Sequence, residues 1–249
     1  MESSINLTRV SFSATGASLA GVVYDTVDPR GMTIVLAHGF TGSKESLDPT
    51  ASYLCSRGWR CLTFDFRGHK LGGSSGVMDG AEAAINDLAA AVAFARERWR
   101  VQPIVLVGHS MGGTVGLALA ASDPDIAGVA ALGIGVRGEL GFDTPAGQAL
   151  LEQRSSYVEG APAQEVLSQA AIRARAAEHA EHIRLLLIAA RNDVVVRAES
   201  VRGLLVRFPG RASCIQVDGG HMDLPIRCRG HLAEWLEALS AESRGSRIG

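Results

Sequence analysis

The sequence predicts an α/β fold: a mostly parallel, eight-stranded sheet with helices on both faces. Three observations carry that expectation. Short apolar runs recur along the chain and alternate with longer helical stretches. The runs are continuously apolar rather than alternating, which is the pattern of strands buried on both sides. The chain has 249 residues, 47% of them hydrophobic and 20% charged, enough to bury one sizeable core without disulfide or metal staples.

The elements follow in order. Ile5 to Tyr24 reads as an antiparallel hairpin that opens the sheet. Met32 to Ala37, with TIVLA at its centre, is the first buried strand, and Arg60 to Phe66 (CLTFDF) the second. Pro103 to Val107 (PIVLV), Ile126 to Val136 (VAALGIG), Leu185 to Ala190 (LLLIA) and Ala212 to Val217 (SCIQV) complete the set. Helices are expected over Lys44–Arg57, Asp79–Arg100, Met111–Ser122, Ser200–Phe208 and Arg229–Glu242. The last of these carries Leu232, Trp235, Leu236 and Leu239 on one stripe.

The rhythm breaks between Arg137 and His182, where no buried strand appears. Gly141, Pro145 and Pro162 precede an Ala- and Glu-rich helix expected from about Ala163 to His182. This is too long for a plain connection. It reads as a small cap, residues 137–182, inserted into a core made of residues 1–136 and 183–249. A cap there would sit over the carboxyl ends of the strands, where open α/β sheets bind ligands.

Bulk chemistry excludes several classes. Net charge is −2 with basic residues scattered along the chain, so neither nucleic acid nor an anionic membrane is expected as a partner. No basic segment followed by an apolar stretch opens the chain, and no run of about 18 apolar residues occurs, so neither a signal peptide nor a membrane span is expected. The protein is expected in the cytoplasm. Cys55, Cys61, Cys214 and Cys228 lack metal-like spacing and read as reduced, half-buried hydrophobes. The tail from Glu242 to Gly249 reads as solvated. The oligomeric state stays open, a homodimer being one arrangement the sequence allows.

The sharpest chemical signal is Gly108-His109-Ser110-Met111-Gly112, followed by Gly113, directly after one strand and before one helix. That is the context a G-x-S-x-G nucleophile elbow requires. The turn holds Ser110 in a strained conformation and pushes its hydroxyl out at the end of the sheet. It also puts the Met111 backbone N–H at a helix N-terminus, where partial positive charge favours an oxyanion. The competing interpretation is a glycine-rich turn of a nucleotide-binding fold, but the Lys of a phosphate-binding loop is missing.

Together with His38-Gly39-Phe40 after the first buried strand and Asp65-Phe66-Arg67-Gly68-His69 after the next, this motif resembles the α/β-hydrolase superfamily. More narrowly, the chain resembles bacterial carboxylesterases of the feruloyl or cinnamoyl esterase and monoacylglycerol lipase kind. The resemblance covers nearly the whole chain, with its motifs in the family order. It implies an oxyanion hole from the backbone N–H groups of Phe40 and Met111, and a structural His38. It implies that Asp193, in Arg191-Asn192-Asp193 after LLLIAA, is the catalytic acid, with Ala190 standing where the family usually has Gly. It implies that His221, in Gly219-Gly220-His221 after SCIQV, is the base. The order Ser, Asp, His is the one this fold uses. A solvated turn Asp and a surface His are the alternatives, but His179, His182 and His231 follow no strand end.

The chemistry is that of a triad. A serine hydroxyl needs a base within hydrogen-bond reach, an imidazole titrates close enough to neutrality to take and return the proton, and a carboxylate fixes the imidazole's tautomer. The expected substrate is a small-molecule ester of a short or medium acyl group, because the cap is alanine-rich and its aromatics are mainly Phe142 and Tyr157. Candidate substrate contacts are His38, Lys70 and Phe142. Lys70 departs from the family's usual Gly, and is either a tolerated surface change or a contact to an anionic substrate. A thioesterase, a peptidase or perhydrolase, and a non-enzymatic receptor share the fold and stay as alternatives. No metal or organic cofactor is implied.

Overall fold

The structure is a computed structural model and describes residues 5–100, 103–135 and 145–245. Among these residues eight strands form one sheet. They are β1 (Ile5–Ala14), β2 (Ala17–Thr26), β3 (Thr33–Ala37), β4 (Arg60–Phe64), β5 (Ile104–His109), β6 (Ile126–Leu132), β7 (Arg184–Ala190) and β8 (Ala212–Val217). Their spatial order is β1-β2-β4-β3-β5-β6-β7-β8. β1 and β2 form the expected antiparallel hairpin, turning at Gly16 with φ 76°, and β2 meets β4 antiparallel. All other pairings are parallel.

The helices among the described residues are α1 (Asp48–Ser56), α2 (Ala81–Trp99), α3 (Met111–Ala120), α4 (Pro145–Gln153), α5 (Ala163–Ala174), α6 (Ala198–Gly203), α7 (Leu224–Arg227) and α8 (Arg229–Gly245). Each central strand feeds both faces of the sheet. Val35 and Ala37 of β3 join a core with α2, α3 and α5. Ile34 and Leu36 join a second core with Leu54 of α1 and Leu232 and Leu236 of α8. Alternate residues of one strand pointing to opposite, equally dry faces is why these segments read as unbroken apolar runs.

Several boundaries differ from the sequence expectation. Lys44–Leu47 is a separate 3-10 turn, and α1 begins afresh with Pro49 in its first turn. β4 stops at Phe64, where the Asp65 side chain turns to accept the Lys44 and Gly73 N–H groups, although the Asp65 N–H still donates in register to the Ala20 carbonyl. β6 stops at Leu132, since Gly133 turns to φ 62°. The segments expected as Ala163–His182 and Ser200–Phe208 each finish in 3-10 turns, Arg175–His179 and Leu204–Arg207.

The stretch read as a cap divides in two. α5 packs on α2 and α3 and buries Val166, Leu167 and Ala170 in the main core. The chain around α4 instead reaches the carboxyl ends of the strands, where β3 and β5 send their following helices to opposite faces of the sheet. That is the switch point at which open α/β sheets form clefts.

Candidate active site

The sequence Gly108-His109-Ser110-Met111-Gly112 folds as a turn with almost no room in it. A Cβ on Gly108 would lie 2.3 Å from the Gly112 carbonyl carbon, and one on Gly112 would lie 2.2 Å from the Ala37 oxygen. Only glycine lets β5, α3 and β3 approach backbone to backbone. Ser110 pays for this with φ 50° and ψ −117°, and its N–H donates to the Leu132 carbonyl at 2.8 Å. Strain at a single serine on a helix N-terminus is a signature of a functional position.

β3 ends beside this turn. A Cβ on Gly39 would sit 3.1 Å from His109 Nδ1 and 3.2 Å from the Ser110 Cβ, close enough that the elbow would have to give by a few tenths of an ångström. Gly39 to Gly42 then close a tight turn, with the Gly42 N–H donating to the Gly39 carbonyl at 3.0 Å and Thr41 held at φ 67°. A β-branched residue in the left-handed region is a second strained position at the same site. No acceptor among the described residues takes the backbone N–H of Phe40 or Met111. These are the two donors the resemblance assigns to an oxyanion hole.

The loops after β7 and β8 bring Asp193 and His221 together. His221 Nδ1 donates to Asp193 Oδ2 at 2.7 Å, while Asp193 Oδ1 accepts the N–H groups of Val195 and Val196, each at 2.8 Å. Both residues are buried. The carboxylate is therefore fixed by its own loop before it meets the imidazole, and the bond at Nδ1 leaves Nε2 as the free basic nitrogen.

His109, the variable residue of the elbow motif, is a site residue that sequence reasoning missed. Its ring lies 4.8 Å from the His221 ring, and its Nε2–H donates to the His221 carbonyl at 2.9 Å. Burial first, and the facing His221 second, push its pKa down to about 3, so it stays a neutral spacer. Its place inside the motif was the available signal.

His38 is fully buried. Its Nε2 accepts the Phe66 N–H at 3.1 Å, so Nδ1 carries the proton and donates to the Gly39 carbonyl at 2.8 Å. Burial holds its pKa well below the ordinary histidine value. Both nitrogens are committed, Nδ1 to the Gly39 turn and Nε2 to the start of the Phe66 loop. Asp65 and Arg67 pin the next loop. Asp65 accepts from the Lys44 N–H, the Lys44 Nζ and the Gly73 N–H, and Arg67 forms a buried ion pair with Asp87 at 2.6 Å. The Lys70 side chain is exposed; its backbone N–H donates to the Tyr157 carbonyl at 2.9 Å. Phe142 lies outside the described residues.

Ser110 and His221 open into one narrow cleft. Phe40, Leu150, Leu151 and Val195 give it apolar walls, and Arg154 joins them from the end of α4. Among the described residues no cluster of three or more His, Cys, Asp or Glu is placed to hold a metal, and no helix is long and apolar enough to cross a membrane.

The fold is that of an α/β-hydrolase, with Ser110 at the strained turn between β5 and α3. A model of the family described as serine aminopeptidase S33 (Hydrolase_4) matches residues 28–180, and the chain belongs to that family. Among curated proteins, the chain is 33% identical over 113 residues to an sn-1-specific diacylglycerol lipase of Danio rerio, covering 44% of this chain and 34% of that one. It is 30% identical over 125 residues to a monoacylglycerol lipase of Mycolicibacterium smegmatis, covering 48% and 44%. These matches span less than half the length of either relative. An esterase of Pyrococcus furiosus has the same fold, with a TM-score of 0.75 at 21% identity over 95% of this chain and 92% of the other. A serine hydrolase homologue of Coxiella burnetii gives 0.67 at 18% identity, covering 92% and 97%.

Proposed function

We propose that this protein is a serine esterase that cleaves small carboxylic esters of short to medium acyl groups through an acyl-enzyme on Ser110. The observation that carries the reading is the strained Ser110 in one cleft with a His221 whose Nδ1 is bonded to Asp193 at 2.7 Å. In the proposed reaction His221 Nε2 takes the Ser110 proton as Oγ attacks the ester carbonyl. The Phe40 and Met111 N–H groups hold the oxyanion. His221 then returns the proton to the departing alcohol, and water, activated by the same nitrogen, releases the acid. Asp193 orients the imidazole and stabilises its cation. The stretch around α4 serves as the cap over this cleft, and its leucines set a short acyl site.

Fluorophosphonate labelling with peptide mapping, run beside 4-nitrophenyl butyrate and palmitate hydrolysis, tests this reading. One adduct on Ser110, butyrate turned over faster than palmitate, and loss of both adduct and turnover in Ser110→Ala are the expected results. A folded protein without adduct or turnover would overturn the reading. Faster palmitate turnover would overturn the acyl-length claim, and cleavage of alanine 4-nitroanilide in preference to esters would move the reaction to peptides.

A further inference from the structure

The cleft beside Ser110 holds one charge that the proposed reaction does not use. Arg154 lines it with Phe40, Thr41, Leu150 and Val195, and no carboxylate among the described residues forms an ion pair with its guanidinium. Its polar side-chain contact is a long one, Nη1 to Thr41 Oγ1 at 3.5 Å, and one face stacks over the Tyr157 ring at 5.1 Å. The backbone beneath is firmly held. The Arg154 N–H donates to the Leu150 carbonyl, the Tyr157 N–H to the Arg154 carbonyl, and the Lys70 N–H to the Tyr157 carbonyl. A half-buried guanidinium with donors to spare beside apolar walls is half of a binding site.

We propose that Arg154 is the specificity residue of this cleft and selects esters that carry a free carboxylate. The inference rests on the ester-hydrolase reading and narrows its substrate class. One planar guanidinium offers two parallel N–H donors, which match the two oxygens of a carboxylate. The apolar walls lower the local dielectric and strengthen that pairing relative to open solvent. Lys70, the cation that the sequence offered for this task, is exposed and is not among the residues that line the cleft.

The test compares esters that differ only in the charge. Mono(4-nitrophenyl) glutarate against 4-nitrophenyl pentanoate places the carboxylate on the acyl side. 4-Butyryloxybenzoate against its methyl ester places it on the alcohol side. In one of the two pairs, the kcat/KM ratio of charged to neutral ester should be about tenfold or more lower in Arg154→Gln than in the wild type, the change lying in KM. Arg154→Lys should keep part of the ratio, and raising salt from about 20 to about 500 mM should shrink it in the wild type. Equal ratios in wild type and Arg154→Gln for both pairs overturn the proposal, as does an equal loss on charged and neutral esters, which would make Arg154 a mere support for Thr41. Glutarate binding, read as a rise in melting temperature, separates this proposal from the one it rests on. Binding to wild type but not to Arg154→Gln in a protein that cleaves no ester keeps the carboxylate site and removes the esterase. Ester turnover with no response to glutarate and no change in ratio does the reverse.

Discussion

At the scale of single residues, Asp193 shows how much one atom decides. Its Oδ1 accepts two loop N–H groups and its Oδ2 accepts from His221 Nδ1. In Asp193→Asn the amide oxygen would stay with Val195 and Val196, so the NH₂ would face His221. The imidazole must then accept at Nδ1 and carry its proton on Nε2, where it can no longer take one from Ser110. The variant should fold normally and lose about 10⁴ in kcat, the cost seen when a triad carboxylate is replaced by its amide. Unchanged melting with collapsed ester turnover and slowed fluorophosphonate labelling is the expected pattern; near wild-type turnover would remove Asp193 from the proposed triad. Ser110, Asp193 and His221 were legible because each follows a strand end in a recognisable local sequence. Arg154 was not, since it lies in a motif-free stretch and its side chain meets the cleft only because α4 is folded over it. His109 was hidden for another reason: its partner is the carbonyl of a residue far away in sequence, and no local pattern encodes that.

At the scale of elements, the strands were legible and the ends of the helices were not. A strand buried on both faces writes an unbroken apolar run, as in TIVLA of β3. By contrast, the stop of β4 at Phe64 depends on Asp65 turning toward Lys44 and Gly73, which only folding brings close. Within the motifs the glycines record packing between elements. Gly112 stands where α3 touches β3, with the Ala37 oxygen 2.2 Å and its carbonyl carbon 2.6 Å from any added Cβ. Gly112→Ala must push α3 off β3 and should cost about 2–3 kcal/mol or more, together with activity, because the same shift moves Ser110. Gly203 is the control. It is exposed, helical at φ −60°, and has nothing within 4 Å of an added Cβ. Gly203→Ala should be neutral or stabilise by up to about 1 kcal/mol. Urea unfolding of both variants checks the contrast, and a Gly112→Ala protein as stable as Gly203→Ala would show that the two backbones can part freely.

At the scale of the whole molecule, the site rests on three buried histidines, and this sets how the fold responds to acid. His38, His69 and His109 lie under the Gly39 turn and the elbow, with the His38 ring 4.8 Å from the His69 ring. Burial is the main cause that lowers all three pKa values below the ordinary 6.5. The surroundings of His69 suit the neutral ring. Its Nδ1–H donates to the Arg67 carbonyl at 3.0 Å, and its buried Nε2 has no partner among the described residues. In the unfolded chain the same imidazoles protonate near 6.5, so below that pH the unfolded state binds more protons. Their stabilising effect is complete above 6.5 and is lost as pH falls toward the folded pKa, which for His109 is about 3. Each histidine that stays neutral should contribute a slope of up to about 1.4 kcal/mol per pH unit once the pH is below about 6. Urea midpoints measured at pH 7.5, 6 and 5 should therefore fall steeply between the last two. His109→Gln, which keeps an N–H for the His221 carbonyl but cannot titrate, should flatten that slope by the share of one histidine. A stability profile that is level from pH 7.5 to 5 would mean that these rings charge without opening the fold, and the cluster beneath the Gly39 turn would then be wet rather than packed.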